Sequence, residues 1–137
     1  MWRNGDRSAS VPRTSPDVRV NSATATIAEL NRWESTIEDL PEELRSGGYF
    51  VLGQAFRRQQ EPERAANALL WLPMVFDADR HLAAQACFDA AEQIESIGDT
   101  AQATNLYSEI VFRFGDTPLS ERAETKWQAL RKGENQE

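Results

Sequence analysis

Residues 98–118 read GDTAQATNLYSEIVFRFGDTP. Between the two Gly-Asp pairs, apolar residues recur at steps of three and four, which indicates one buried helical face. Gly98 is suited to end a preceding helix in the left-handed conformation that glycine tolerates, and Asp99 to cap the next helix. Pro118 is suited to start a further helix, because its missing N–H is not needed there. The stretch therefore predicts a capped amphipathic helix with another helix on each side.

The same helical pattern extends in both directions. About six helices are predicted, at 24–40, 41 to about 59, 62 to about 72, 80–97, 100–114 and 118–132. No period-two strand pattern occurs, and the turns are short, so an all-α fold of antiparallel helix hairpins is expected. Ser22 or Thr24 is the expected first cap, and Thr117 the expected last one. Gly47 and Gly48 predict either a helix break or the close approach of another backbone, and the close approach is favoured.

Charge and composition exclude several classes of function. The chain has 137 residues and a net charge of −7, with a net +2 in residues 1–20 and −9 in the remainder. Such an acidic body repels phosphate backbones, so no nucleic-acid partner is expected. The longest apolar run, 65–76, is too short and too interrupted for a membrane span. One cysteine and one histidine allow neither a disulfide nor a Cys/His zinc site, and no cofactor is expected.

The composition divides the chain into three parts. Residues 1–21, rich in Ser, Pro, Arg and Asn, are predicted to be a flexible arm or linker, with a strand-like element at 18–20 as the alternative. A helical domain is expected over 22–132 and a frayed tail over 133–137. The start of the chain is not that of a secretory signal, which predicts a cytoplasmic location as it stands.

Two helical units repeat with an offset of 38 residues, which pairs Leu52 with Ala90, Ala65 with Ala103 and Leu69 with Tyr107. A third, weaker start appears at Ala123–Gln128. The pattern resembles the tetratricopeptide repeat, a stack of antiparallel helix pairs that forms an α-solenoid. The matching residues are Tyr49, Leu52, Gly53, Phe56, Ala65, Gly98, Asp99, Ala103 and Tyr107. The chain departs from the usual tetratricopeptide pattern in three ways. Its repeat offset is longer than usual, Cys87 stands where Trp is common, and Gln60-Glu61 replaces the Gly-Asp turn in the first unit.

The resemblance implies a protein-protein interaction module or scaffold that binds a peptide or helix of a partner on a concave face. The face is formed by the outward positions of the first helix of each repeat. In this chain those positions are Phe50, Gln54, Arg57, Arg58, Gln85, Phe88, Glu92, Glu95, Arg122 and Thr125. Phe50 and Phe88 are expected either as exposed anchors for the partner or as residues packed between helices. FGDTP at 114–118 also resembles the repeat ending of bacterial cell-envelope members such as the TolA-binding protein, which implies a periplasmic or membrane-anchored location for a fragment of such a protein.

Two alternatives remain at this stage. Trp127 and Leu130 belong to a helix without a following partner, which predicts self-association or stacking on further repeats of a longer parent chain. The more remote alternative is a hydrolase that uses His81 with Asp77 or Asp79. Surface capping explains those three residues better, and Cys87 on an alanine-rich face is expected to be a small buried apolar residue. The chain is therefore predicted to be non-catalytic and to bind no metal.

Overall fold

The computed structural model describes residues 26–135, and within that range all regular structure is helical. Six helices have eight or more residues, and a seventh is a single turn. The helices are α1 (Ile27–Glu38), α2 (Glu42–Arg58), α3 (Pro62–Leu69), α4 (Trp71–Met74), α5 (Arg80–Ser96), α6 (Thr100–Arg113) and α7 (Ser120–Asn135). The predicted all-α class is confirmed. The predicted arm at 1–21 and the first caps proposed, Ser22 and Thr24, lie outside the described residues.

Side-chain caps explain where three of the helices begin. The amide of Glu29 donates to the hydroxyl of Thr26 at 3.2 Å, and the amide of Thr26 donates to the Glu29 carboxylate at 2.9 Å, a reciprocal capping box. Asp79 and Asp99 accept from the amides of Leu82 and Gln102, at 3.1 Å each, as the sequence predicts. Each carboxylate satisfies an N–H that has no partner inside its helix.

The turns between the later helices agree with the sequence in one case and differ in another. Gly98 ends α5 with φ of 91°, a conformation that L side chains rarely adopt. The prediction that Thr117 caps the last helix is wrong, because its hydroxyl donates to the Phe114 carbonyl at 2.6 Å and the helix begins later, at Ser120. The helix then continues to Asn135, three residues beyond the domain end predicted at 132.

The chain bends where α3 meets α4. Regular helix stops at Leu69 and resumes for one turn from Trp71, so the interruption comes earlier than the stop near Leu72 that Pro73 predicts. Trp71 stacks on Tyr49 with ring centroids 5.1 Å apart, and Tyr49 stacks on Phe76 at 6.0 Å. The stacked rings hold the segment around Trp71 against α2. Part of the Trp71 indole remains exposed to solvent.

Packing follows the order of the chain. α1 packs on α2, α2 on α3, α3 on α5, α5 on α6 and α6 on α7, and α4 contacts α2, α3 and α5. The largest fully buried side chains are Tyr107, Phe56, Phe88, Phe114, Leu30, Leu52, Leu69, Leu72, Ile110 and Cys87. Alanines dominate the buried face of α5, and such small side chains let its neighbours approach closely.

The helix break, the less favoured of the two predictions for Gly47 and Gly48, does not occur, because α2 is continuous from Glu42 to Arg58. At Gly48 the close neighbour is a side chain rather than a backbone, since a Cβ there would lie 3.0 Å from Ile37 Cγ1. A closer contact is made at Gly53, where a Cβ would lie 2.4 Å from Leu69 Cγ. Gly53 therefore sets the distance between α2 and α3.

Two large apolar residues near helix ends are exposed. Leu44 is 55% exposed because it lies in the first turn of α2, beyond the part of the helix that its neighbours cover. Ile97 is 44% exposed because it follows the last residue of α5 as its C-cap. No helix within residues 26–135 has both the length and the apolar character needed to span a membrane.

Candidate functional site

An apolar groove with a volume of about 510 Å³ lies between α1 and α2 and reaches the start of α5. Its lining, called the apolar groove below, consists of Trp33, Thr36, Ile37, Leu40, Leu44, Gly47, Gly48, Phe50, Val51, Leu52 and Leu82. On α2 the lining residues Leu44, Gly47 and Val51 recur at steps of three and four, so they share one helical face. Nothing would lie within 4 Å of a Cβ at Gly47, and this missing side chain is part of what keeps the groove open.

A polar network continues from the groove along α2 and α5. The Asp89 carboxylate is only 5% exposed. It accepts from Gln54 Nε2 at 2.6 Å and from Gln85 Nε2 at 3.0 Å. Arg57 donates to Gln54 Oε1 at 2.7 Å and lies 3.6 Å from Asp89 Oδ2. A buried charge needs such partners, and this one orders three polar side chains that reach the surface.

A second set of polar contacts joins α5 to α6 and α7. Glu95 Oε1 accepts from the Tyr107 hydroxyl at 2.9 Å and from Lys126 Nζ at 3.4 Å. Burial of the ring and the bond to Glu95 both raise the pKa of Tyr107, so its hydroxyl stays protonated and donating. The Lys126 ammonium also lies 5.8 Å from the centre of the Tyr107 ring. Together these contacts fix α7 against α5.

Phe88 does not lie on the exposed surface. It is 2% exposed, meets the edge of Tyr107 with centroids 5.4 Å apart, and is covered by the Arg122 guanidinium at 4.8 Å from its ring centre. The prediction of Phe88 as an exposed anchor is therefore wrong, and its alternative, packing between helices, is confirmed. Phe50 differs, since it is half-buried and lines the apolar groove.

The structure brings three of the residues predicted for the concave face together, since Gln54, Arg57 and Gln85 meet around Asp89. Glu95 contacts Lys126 in a separate set, and Arg122 covers the Phe88 ring. The name α2–α5–α7 face is used below for Phe50, Gln54, Arg57, Gln85, Asp89, Glu95, Arg122 and Lys126. Arg58 is exposed at the end of α2, and Glu92 is half-buried on α5. Thr125 does not join them, because its hydroxyl donates to the Glu121 carbonyl of its own helix at 3.1 Å.

Asp89, Lys126 and Leu82 were not among the predicted site residues. Asp89 carries a signal that could have found it, because it is the one charged residue within the alanine-rich stretch 83–91. Lys126 and Leu82 carry no comparable signal. Their placement depends on how α5 and α7 pack against their neighbours.

The two carboxylates proposed for chemistry have structural partners. Asp79 caps α5, and Asp77 pairs with Arg113 at 2.5 Å. No cluster of three or more His, Cys, Asp or Glu suited to a metal occurs within the described part of the chain. Burial raises the pKa of the Cys87 thiol to about 12, and its sulfur donates to the Leu106 carbonyl at 3.6 Å. Cys87 is therefore a protonated thiol at neutral pH, not a nucleophile.

Comparisons of the chain with models of known protein families, with curated proteins and with solved structures found no match. The apolar groove and the α2–α5–α7 face beside it are therefore the features from which a function can be inferred.

Proposed function

We propose that this chain is a non-catalytic protein-interaction module that binds a peptide or helical segment of a partner protein along the α2–α5–α7 face. One observation carries the proposal. The apolar groove and the Asp89 network share α2 and the first half of α5, so an elongated ligand can fill the first while it hydrogen-bonds to the second. The resemblance to tetratricopeptide repeats supports the same use of this face.

The groove supplies the anchor for the partner. Its lining is almost entirely hydrocarbon, and Thr36 and the indole N–H of Trp33 are its polar side-chain groups. Burying an apolar side chain of the partner there removes hydrocarbon from water on both sides, at about 25 cal/mol per Å². Interfaces of this kind depend on a few buried apolar anchors. The partner segment is thus expected to carry a large apolar residue.

The Asp89 network supplies orientation. Arg57 is held by Gln54 and Asp89, yet about a third of its side chain remains exposed, at 36%. The remaining N–H groups of the Arg57 guanidinium can donate to a ligand without rearrangement, because Gln54 and Asp89 already hold the guanidinium in place. The Arg122 guanidinium lies over the Phe88 ring, 4.8 Å from its centre. Ordered donors beside an apolar anchor favour one direction of the bound segment.

A non-catalytic role agrees with the chemistry of the described residues. Cys87 is protonated and buried, and Asp79 is engaged as a helix cap. The face itself carries amides, guanidiniums and a buried carboxylate saturated by donors, which is a recognition surface rather than an acid–base pair.

Selection of a peptide from a displayed random library on the immobilised full chain tests this function. Leu44→Asp places a carboxylate in the groove, and we expect it to weaken binding of the selected peptide by about tenfold or more. Leu44 is already exposed, so the fold should tolerate the change. Isothermal titration calorimetry gives the affinity.

Ile97→Asp is the matched control, because Ile97 is comparably exposed and lies outside the groove. It should bind the peptide as the unchanged chain does. Equal affinities for all three proteins, or a library that yields no binder, would contradict the proposal.

A further inference from the structure

Exposed aromatic surface lies where α6 meets α7. Phe112 of α6 is 75% exposed, and its ring meets Trp127 of α7 edge to face with centroids 5.4 Å apart. The Arg131 guanidinium lies 5.1 Å from the centre of the six-carbon-and-nitrogen ring system of Trp127. These contacts hold the three side chains in a defined arrangement. Aromatic residues and arginine are the residue types that the cores of protein interfaces favour.

Charges of opposite sign lie on the two sides of Trp127 along α7. Glu124 precedes Trp127 by three residues and Arg131 follows it by four, so the three share one helical face. Both charged side chains are exposed, and neither forms an ion pair among the described residues. They are about 10 Å apart along the helix axis, a separation at which side chains of one helix do not pair. Phe112, Glu124, Trp127 and Arg131 are called the aromatic end face below.

The order of these charges is complementary to itself when two copies of α7 run antiparallel. With the Trp127 rings of the two copies side by side, Glu124 of each copy lies opposite Arg131 of the other, because the two residues are almost equally far from Trp127. A parallel arrangement would place like charges together, which is unfavourable. A contact in which both copies use the same surface is two-fold symmetric and closes at two copies.

From this self-complementarity we infer that two copies of the chain associate through the aromatic end face as an antiparallel, two-fold symmetric dimer. Phe112 and Trp127 of the two copies bury their exposed apolar surface against each other, and two Glu124–Arg131 pairs fix the orientation. One helix face with one further aromatic ring is smaller than a standard stable interface. The dissociation constant is therefore expected in the micromolar range.

The dimer leaves the apolar groove open. Arg122 and Lys126, the α7 residues of the α2–α5–α7 face, contact Phe88 and Glu95 of α5. Among the described helices, α6 and α7 form no substantial contact with α1 or α2, which make up most of the groove. Dimerisation thus goes beyond the proposed function and does not depend on it. A dimer that also binds peptides would present two binding faces.

Light scattering coupled to size-exclusion chromatography tests the dimer on the full chain. The mass of the unchanged chain should rise with concentration from 15.5 kDa toward twice that value and no further. Glu124→Arg and Arg131→Glu each place like charges at both ends of the interface, so each variant alone should dimerise at least about tenfold more weakly. In an equimolar mixture of the two variants the charges match again, and a 1:1 dimer should form.

Glu38→Arg is the matched control, because it reverses an exposed charge on α1 and should leave the dimer unchanged. A monomer at every concentration, a mass above that of a dimer, or single variants that associate as the unchanged chain does would overturn the inference. So would a mixture of the two variants that stays monomeric. The library-selected peptide should bind Glu124→Arg and Arg131→Glu as it binds the unchanged chain, so loss of the dimer and loss of peptide binding are separate results.

Discussion

Tyr107→Ala is expected to lower the free energy of unfolding by about 3–5 kcal/mol, as other truncations of large buried aromatic residues do. Tyr107 is fully buried, packs edge to face on Phe88 and donates to Glu95. Removing the ring leaves a cavity between α5 and α6 and takes one donor from the Glu95 carboxylate. Urea unfolding followed by circular dichroism measures the change.

Two companion variants separate the causes of this loss. Tyr107→Phe keeps the ring and removes only the hydroxyl, so it should cost about 1 kcal/mol. Phe112→Ala truncates an aromatic residue of the same helix that is exposed, and it should change stability little, within about 0.5 kcal/mol. If Tyr107→Ala unfolds at nearly the same urea concentration as Phe112→Ala, the assignment of Tyr107 to the core is wrong.

Gly53→Ala is expected to destabilise the fold by about 1–3 kcal/mol, the usual cost of overpacking a core. The added methyl would meet Leu69 Cγ at 2.4 Å and Leu69 Cδ2 at 2.7 Å, with the Ala65 carbonyl oxygen at 3.3 Å behind them. Leu69 is itself fully buried and has little room to move. The clash therefore exceeds the gain in helix propensity. Thermal unfolding by calorimetry measures the effect.

Gly47→Ala is the matched control on the same helix. A Cβ at Gly47 meets nothing within 4 Å, so the substitution should stabilise α2 by about 0.5–1 kcal/mol through helix propensity alone. The two variants make the same chemical change with opposite expected signs. A Gly53→Ala protein as stable as Gly47→Ala would show that α2 and α3 are not in close contact at this point.

The helices and most of their caps could be predicted because they depend on neighbours in the chain. Asp79, Asp99 and Gly98 each act within a few residues, so the local pattern is sufficient. Thr117 shows where this fails. Its hydroxyl could either cap the following helix or hydrogen-bond to the preceding turn. Thr117 is buried beside Phe114, and its hydroxyl donates to the Phe114 carbonyl of that turn.

The face could be predicted only in part, because helix periodicity places residues on one side but does not say what covers that side. Gln54, Arg57 and Gln85, which periodicity placed on facing sides of α2 and α5, meet around Asp89. The sequence left Phe88 open between an exposed anchor and a packed residue, and it is packed because α5 has neighbours on several sides and Arg122 covers the ring. The groove forms because of the position at which α1 packs beside Gly47 and Gly48 of α2. The local sequence pattern does not predict that position.

Amide chemical-shift mapping with the library-selected peptide tests the central claim most directly, because it locates the bound segment on the folded chain. The largest changes are expected at Gly47, Gly48 and Val51 in the groove and at Leu82 and Gln85 on α5, with smaller changes along the rest of the α2–α5–α7 face. Largest changes at Trp71, Met74 and Val75, the exposed apolar residues on and beside α4, would contradict the claim that this face binds the partner.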